Sequence, residues 1–389
     1  MPMHQRHIEQ IHYSLHQEMN ELYWSAAIKN FAIGLVGIFN VMYVFLYFNH
    51  SVPLTMTFYL VQFVGQVLLV PLAARWLKIG LKKMMAIGVP FLGIYLILLL
   101  LAKELGTVAI VLAVMAKIIY LVLFWPSRHV DFAKFSQKLK RGRQIGVRRI
   151  IVAIVKTMAP ILGGFIIVKF GFTPAYIIAA ILFVVSAVPL FFSSEVYEKF
   201  SWSYGKSFKK LFEKKNRKIS LAFLFEGIEY AVGIFIFPIF IYLVIKNFET
   251  IGLITSLSLL LTIIFTYLIG WATDKKGSHK VINFSSIVHG FAWVITAFIS
   301  TPLQYFIYSS FLRLSETANH LPFTALLYRK AKGLGHGIDE YIVFHEIAHN
   351  TGRIILALLV IIGFSLGLDN FLIYFTIAGV AAFLFRLFK

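Results

Sequence analysis

Long apolar blocks separated by short polar interruptions run the length of the chain, and the blocks share one size. A helix crossing a hydrocarbon core of about 30 Å needs about 20 apolar residues. Twelve such runs are present, near 27–48, 53–74, 84–102, 106–126, 148–170, 174–193, 219–245, 250–271, 281–300, 302–323, 345–368 and 370–387. The pattern predicts an all-α membrane protein with 12 transmembrane helices. Composition agrees, with 59% hydrophobic and 14% charged residues. The absence of cysteine excludes disulfides and thiolate metal sites. The polar stretch His4 to Glu21 lacks the basic-then-apolar order of a cleaved leader, so the first span is expected to be retained.

Charge adds an orientation. Lys and Arg concentrate in cytoplasmic loops, and eight lie between Arg128 and Arg149 and eight more between Lys199 and Lys218. Both termini are therefore expected in the cytoplasm, with the chain in the cytoplasmic membrane. The net charge of +20 follows from this topology and from attraction to anionic lipid, not from nucleic-acid binding.

The spans repeat. "GIF" at Gly37 recurs at Gly233, and Pro126 meets Pro322, both 196 residues apart; "RIIVA" from Arg149 matches "RIILA" from Arg353. Duplicated halves are common in transporters. The expected divisions are an interfacial segment 1–26, a six-helix bundle 27–193, a basic linker 194–218 and a second six-helix bundle 219–389.

One stretch points elsewhere. "VFHEIAHNTGR" holds His345, Glu346 and His349 in the His-Glu-x-x-His spacing of zinc metalloproteases. A catalytic zinc needs a third protein ligand, and no His or Glu follows His349. No metal, no cofactor and no enzymatic chemistry are expected.

Twelve spans in two sixes, a long central loop and "GWATDKKGSHK" (Gly270 to Lys280) between spans 8 and 9 resemble the major facilitator superfamily. The resemblance implies two pseudo-symmetric six-helix bundles in the MFS fold, with the first, fourth, seventh and tenth helices lining a cavity. It also implies a gate in which the loop of Asp274, Gly277 and Lys280 docks on the start of span 5, at Arg148 and Arg149. The first-half copy, "PLAARWLKIGLKK", has Lys78 near the position of an aspartate. Either its polarity is reversed, with Lys78 or Arg75 meeting Glu346 on span 11, or the loop copy has decayed. Arg353, one repeat away from Arg149, joins this gating set.

Ionisable groups inside a bilayer mark polar pathways. Lys117 and Arg313 are 196 residues apart, near the middles of spans 4 and 10. Paired cations on equivalent helices suit an anionic substrate, unless a carboxylate such as Glu316, at i,i+3 from Arg313, neutralises them. Tyr120, Asn40, Gln62 and His320 are further candidates for substrate contact. Glu226 and Glu229, at i,i+3 on span 7, and Glu316 are candidates for proton coupling, because close carboxylates raise one another's pKa; alternatively the span 7 pair counters Lys29 or Lys156. The reading is a proton-coupled secondary active transporter, monomeric, with a small-molecule substrate, protons and membrane lipid as partners. An amphiphile or drug exporter of the same fold and a transport-dead sensor are the alternatives.

Overall fold

The computed structural model describes residues 3–135, 142–192, 195–333 and 337–388, with side chains placed from Trp24 onward except at 135 and 142–152. Its first half holds helices α1 (Met3–Tyr47), α2 (Val52–Ala73), α3 (Leu81–Leu105), α4 (Thr107–Phe135), α5 (Gly142–Phe170) and α6 (Phe172–Phe191). A short helix, α7 (Tyr204–Phe212), lies in the linker. The second half begins with α8 (Arg217–Ala231), a π-helical turn (Val232–Ile236) and α9 (Phe237–Ile245), which together form one span. It continues through α10 (Phe248–Lys276), α11 (Ser278–Thr296), α12 (Pro302–Gly333), α13 (Ile338–Ser365) and α14 (Phe371–Phe383).

Local chemistry explains the breaks. Single glycines turn the chain between α3 and α4 (Gly106, φ 57°) and between α10 and α11 (Gly277, φ 85°), conformations in which a side chain is strained. Ser51, Asn247 and Asn370 cap α2, α10 and α14 by accepting from the amides of Leu54, Thr250 and Leu372. The π turn sits just before Pro238, which has no N–H to donate and whose ring displaces the preceding turn.

Nine of the described helical segments are long and apolar enough to cross a membrane. The other three spans expected from the sequence, α11, α12 and α14, are shorter or more polar. In α12 the reason is its polar content: Arg313, Glu316, Asn319 and His320 all lie within it.

Within the first half α1 packs on α5 and α6, and α3 on α4 and α6; within the second, α8 packs on α13, and α11 on α12 and α14. The halves meet through α2 on α13 and α5 on α10. Glycine permits the tightest crossings: a Cβ on Gly163 of α5 would stand 2.0 Å from the carbonyl oxygen of Leu35 on α1.

The linker is ordered between 195 and 216 and straps one end of the bundle, called here the linker end. Glu195 accepts from the amides of Lys82 (2.8 Å) and Lys83 (3.0 Å), capping α3. Ser201 donates to Glu340 in the first turn of α13, and Lys134 of α4 pairs with Glu198. At the exit from α7, Lys210 hydrogen-bonds Glu213 at 3.1 Å and holds its carboxyl below the usual range. Glu195→Ala removes two hydrogen bonds at a helix start, a loss of about 1 kcal/mol. A fall in thermal midpoint in detergent is the expected measurement.

Candidate functional site

Between the halves lies a cavity of about 550 Å³. Each half contributes cations to it: Lys117 of α4 and Lys156 of α5 from the first, Arg313 of α12 and Arg353 of α13 from the second. The Lys117 ammonium lies 5.0 Å from the ring centroid of Tyr95 and 5.3 Å from that of Tyr120, where ring faces attract a cation. Arg353 donates to Asn350 (3.1 Å) and lies 4.6 Å from the Tyr230 ring. The Nε atoms of Arg313 and Arg353 are buried without a hydrogen-bond partner. Among the described residues none of the four cations makes an ion pair. Neutralisation of Arg313 by Glu316 is thus not realised: Glu316 lines the cavity and makes no ion pair among the described residues.

Polar residues of the first half line the cavity beside Lys117. Asn40 donates to Tyr95 (2.9 Å) and accepts from Tyr176 (3.2 Å). Tyr120 and Gln62 also line the cavity, Gln62 donating to the Phe58 carbonyl at 3.4 Å.

The two carboxylates of α8 part company, which corrects their expected pairing. Glu226 is bound by His345 of α13 at 2.9 Å. Glu229 faces the Nε2 atoms of His289 (3.1 Å) and His320 (2.9 Å) and accepts from Trp293 Nε1 (3.0 Å). Neither meets Lys29, whose ammonium sits 3.5 Å from the Phe124 ring centroid. His320 is therefore a partner of Glu229 and does not line the cation cavity. The ligand atoms of Glu229, His289 and His320 lie within 4.8 Å of one another, and internal hydrogen bonds account for that convergence.

His289 and Trp293 were not anticipated. Their signal was available: the lone histidine of an otherwise apolar ninth span, with a Trp at i+4 on the same face.

The His-Glu-x-x-His stretch is not built as a zinc site. The rings of His345 and His349 stack 5.4 Å apart at 12°, so they do not converge on one point. Glu346 instead ties the halves together. It accepts from Gln66 of α2 (3.1 Å) and lies 3.6 Å from His129 of α4, whose other nitrogen bonds Tyr328 of α12 at 2.6 Å. At the far end, Phe39 meets Phe248 and Phe45 meets Tyr242, with ring centroids 6.1 and 6.4 Å apart. The cavity is thus bounded at both ends by contacts between the halves.

The expected gate needs two corrections. Lys78 and Arg75 are exposed and Glu346 is buried, so the reversed-polarity contact is not formed. The acid that the first loop copy lacks comes from the linker, as Glu195. Arg353 belongs to the cavity wall rather than to the gate. Gly277 turns as expected, while Asp274 and Lys280 are exposed. The side chains of Arg148 and Arg149 lie outside the described residues.

A second cleft runs along α10 and α12 towards the linker end, from Leu259 to Asp274 and from Arg313 to Tyr328. It shares Lys156, Arg313 and Glu316 with the central cavity.

No curated protein sequence matches the chain. Solved structures do. The nucleoside transporter NupG superposes with a TM-score of 0.66 at 15% identity, over 95% of this chain and 98% of that one. A mutant of the peptide transporter POT gives 0.66 at 12% identity, over 94% and 92%. A POT family transporter in complex with 5-aminolevulinic acid also gives 0.66 at 12%, over 95% and 94%. At these identities the likeness establishes the fold. The family model of the Major Facilitator Superfamily matches residues 22–337, and with this multi-pass fold the chain belongs to that superfamily of transporters.

Proposed function

We propose that the chain is a secondary active transporter carrying a small anionic solute across the cytoplasmic membrane by alternating access, coupled to protons, and that it acts as a monomer with both termini in the cytoplasm. One observation carries the substrate class. Among the described residues four cations line the cavity without an ion pair, against two carboxylates, and one of these, Glu229, is already held by two histidines. Unpaired charge in a low-dielectric site is costly, and an anionic ligand supplies what is missing. A volume of about 550 Å³ lies within the usual range for small ligands. The neighbours are named for nucleosides and peptides, and one holds 5-aminolevulinic acid, all small polar solutes.

Contacts between the halves bound the cavity at both ends, which fits alternating access: opening one end means breaking either the Gln66, His129 and Glu346 set or the Phe39 and Phe248 set.

A second reading, an amphiphile carrier, draws on the cleft beside α10 and α12, which adjoins the cavity at Arg313. It predicts that long-chain anions compete better than short ones.

Uptake into proteoliposomes from a panel of organic and phosphorylated anions, with and without an imposed pH gradient, tests both readings. Gradient-driven accumulation of a short anion supports the first. Transport confined to cations or neutral solutes would sink the anionic assignment.

A further inference from the structure

The linker spends its acids inward and leaves its bases outside. Between residues 195 and 218 it holds three acids and eight basic residues, and each acid is already engaged. Glu195 caps α3, Glu198 pairs with Lys134, and Glu213 is bound by Lys210 and Lys215 at 2.8 and 3.7 Å. On α7, Phe208 and Leu211 pack against the core of the bundle, whereas Lys206 and Lys209 lie on the opposite side of the helix and are exposed. Lys199 and Lys214, on either side of α7, are exposed too, and Phe212 adds an aromatic ring that is 85% exposed.

This face stands at the edge of the apolar zone. The chain enters the linker from Phe191 and Phe192, 62% and 71% exposed at the end of an apolar span. It leaves through α8, where Ser220 of the first turn donates to the Leu211 carbonyl at 2.9 Å. Between those points α7 packs on α13, α8 and α2. A helix fastened to span ends on both sides lies within about one helix diameter, roughly 10 Å, of them, which is the depth of lipid headgroups. Basic and aromatic side chains at that depth suit an anionic membrane surface.

The same strap crosses from one half to the other. On the first half, the amide of Leu81 donates to the Val196 carbonyl (2.9 Å) and that of Glu198 to the Leu77 carbonyl (3.3 Å). A few residues on, the amide of Ser201 donates to Glu340 of α13 at 3.0 Å. Three residues reach about 10 Å when fully extended, so the strap has little slack. Separating the halves at the linker end breaks one set of bonds or the other.

We propose that the outer face of the linker, centred on α7, is a docking surface for anionic lipid headgroups, and that lipid held there steadies the strap across the closed linker end. A helix of nine residues is marginal alone in water. Its lysines therefore share one face only while Phe208 and Leu211 are docked on the bundle. Lipid that binds this face binds the strapped state better, and shifts the population towards it. Each basic residue near an anionic surface strengthens such a contact by about fivefold, and salt screens it. The proposal goes beyond the transport reading and holds whatever the cavity carries.

The chain has no cysteine, so Gly205→Cys, where an added Cβ meets nothing within 4 Å, places a single fluorophore on α7. The test uses the full chain in phosphatidylcholine nanodiscs with and without phosphatidylglycerol. Quenching of the fluorophore is compared for the two lipids, each spin-labelled at the head end of one acyl chain and present at equal mole fraction. The expected result is several-fold stronger quenching by phosphatidylglycerol, abolished by high salt and by the combined variant Lys199→Gln, Lys209→Gln, Lys214→Gln. Hydrogen exchange at the Ser201 amide, which reports the contact with Glu340 directly, should slow by about tenfold in the anionic nanodiscs. Both comparisons on the parent chain stand without the lysine variant. Equal quenching by the two lipids, quenching unchanged in the lysine variant, or lipid contact without slower Ser201 exchange would each overturn the proposal. So would polyglutamate slowing that exchange in neutral nanodiscs while phosphatidylglycerol does not, which would assign the face to an acidic protein.

Discussion

Arg313→Met should weaken uptake of an anionic substrate by about 10- to 100-fold, the effect of removing a charge-assisted hydrogen bond worth about 1.5–3 kcal/mol, and at the same time raise the thermal midpoint. The second half of that expectation separates a binding residue from a structural one. Arg313 Nε is buried without a partner, and no described carboxylate pairs with the guanidinium. The folded protein therefore carries an unfavourable desolvation that methionine, similar in length and apolar, does not. Were Arg313 one member of a buried ion pair, removing it would strand its partner and lower stability by several kcal/mol. Thermal midpoint and substrate KM measured on the same preparation settle the sign. A lower midpoint, or uptake unchanged for every anion tested, would remove Arg313 from the site. Lys117→Gln should follow the same course more weakly, because the rings of Tyr95 and Tyr120 already attract its charge.

Span count, duplication and the symmetric cations were legible in the sequence for one physical reason: membrane burial imposes a length and penalises charge. A lysine or arginine at mid-span is conspicuous, and both Lys117 and Arg313 line the cavity. Azimuth was not legible. Glu226 and Glu229 share an i,i+3 spacing that suggests one face, yet histidines on different helices draw them apart. Helix-to-helix partners depend on crossing geometry that a linear pattern does not encode. His289 is the one ionisable group in the middle of the ninth span, and the outermost position of that helix hides that it turns a polar edge inward. The first loop copy shows a further limit. Its missing acid, read within the repeat, implied reversed polarity or decay; in space Glu195, far along the chain, stands against Gly80, where a Cβ would meet its side chain at 2.2 Å.

The position of the whole site depends on a contact that side chains do not make. α8 and α13 touch backbone to backbone: a Cβ on Gly227 would stand 1.8 Å from the His349 carbonyl oxygen, and one on Gly352 would stand 2.0 Å from that of Leu224. Small residues allow this approach in membrane bundles, where van der Waals packing replaces the hydrophobic drive. Neither obstacle is a flexible side-chain end, so no rotamer change relieves it and the helices must separate. Gly352→Leu should therefore yield no monodisperse folded protein. Gly352→Ala should fold with a lowered midpoint, in the range of about 1–3 kcal/mol that overpacking costs. It should also lose most transport, because α8 carries Glu226 and Glu229 while α13 carries His345 and Arg353. The 2.9 Å bond between Glu226 and His345 does not survive a shift of an ångström. Gly270→Ala is the matched control. It lies inside α10 with nothing within 4 Å of the added carbon, and alanine there should hold or raise stability, since glycine disfavours a helix by about 1 kcal/mol. Size-exclusion profiles and thermal midpoints of the three variants test the crossing directly; a well-folded Gly352→Leu would show that α8 and α13 are not in backbone contact.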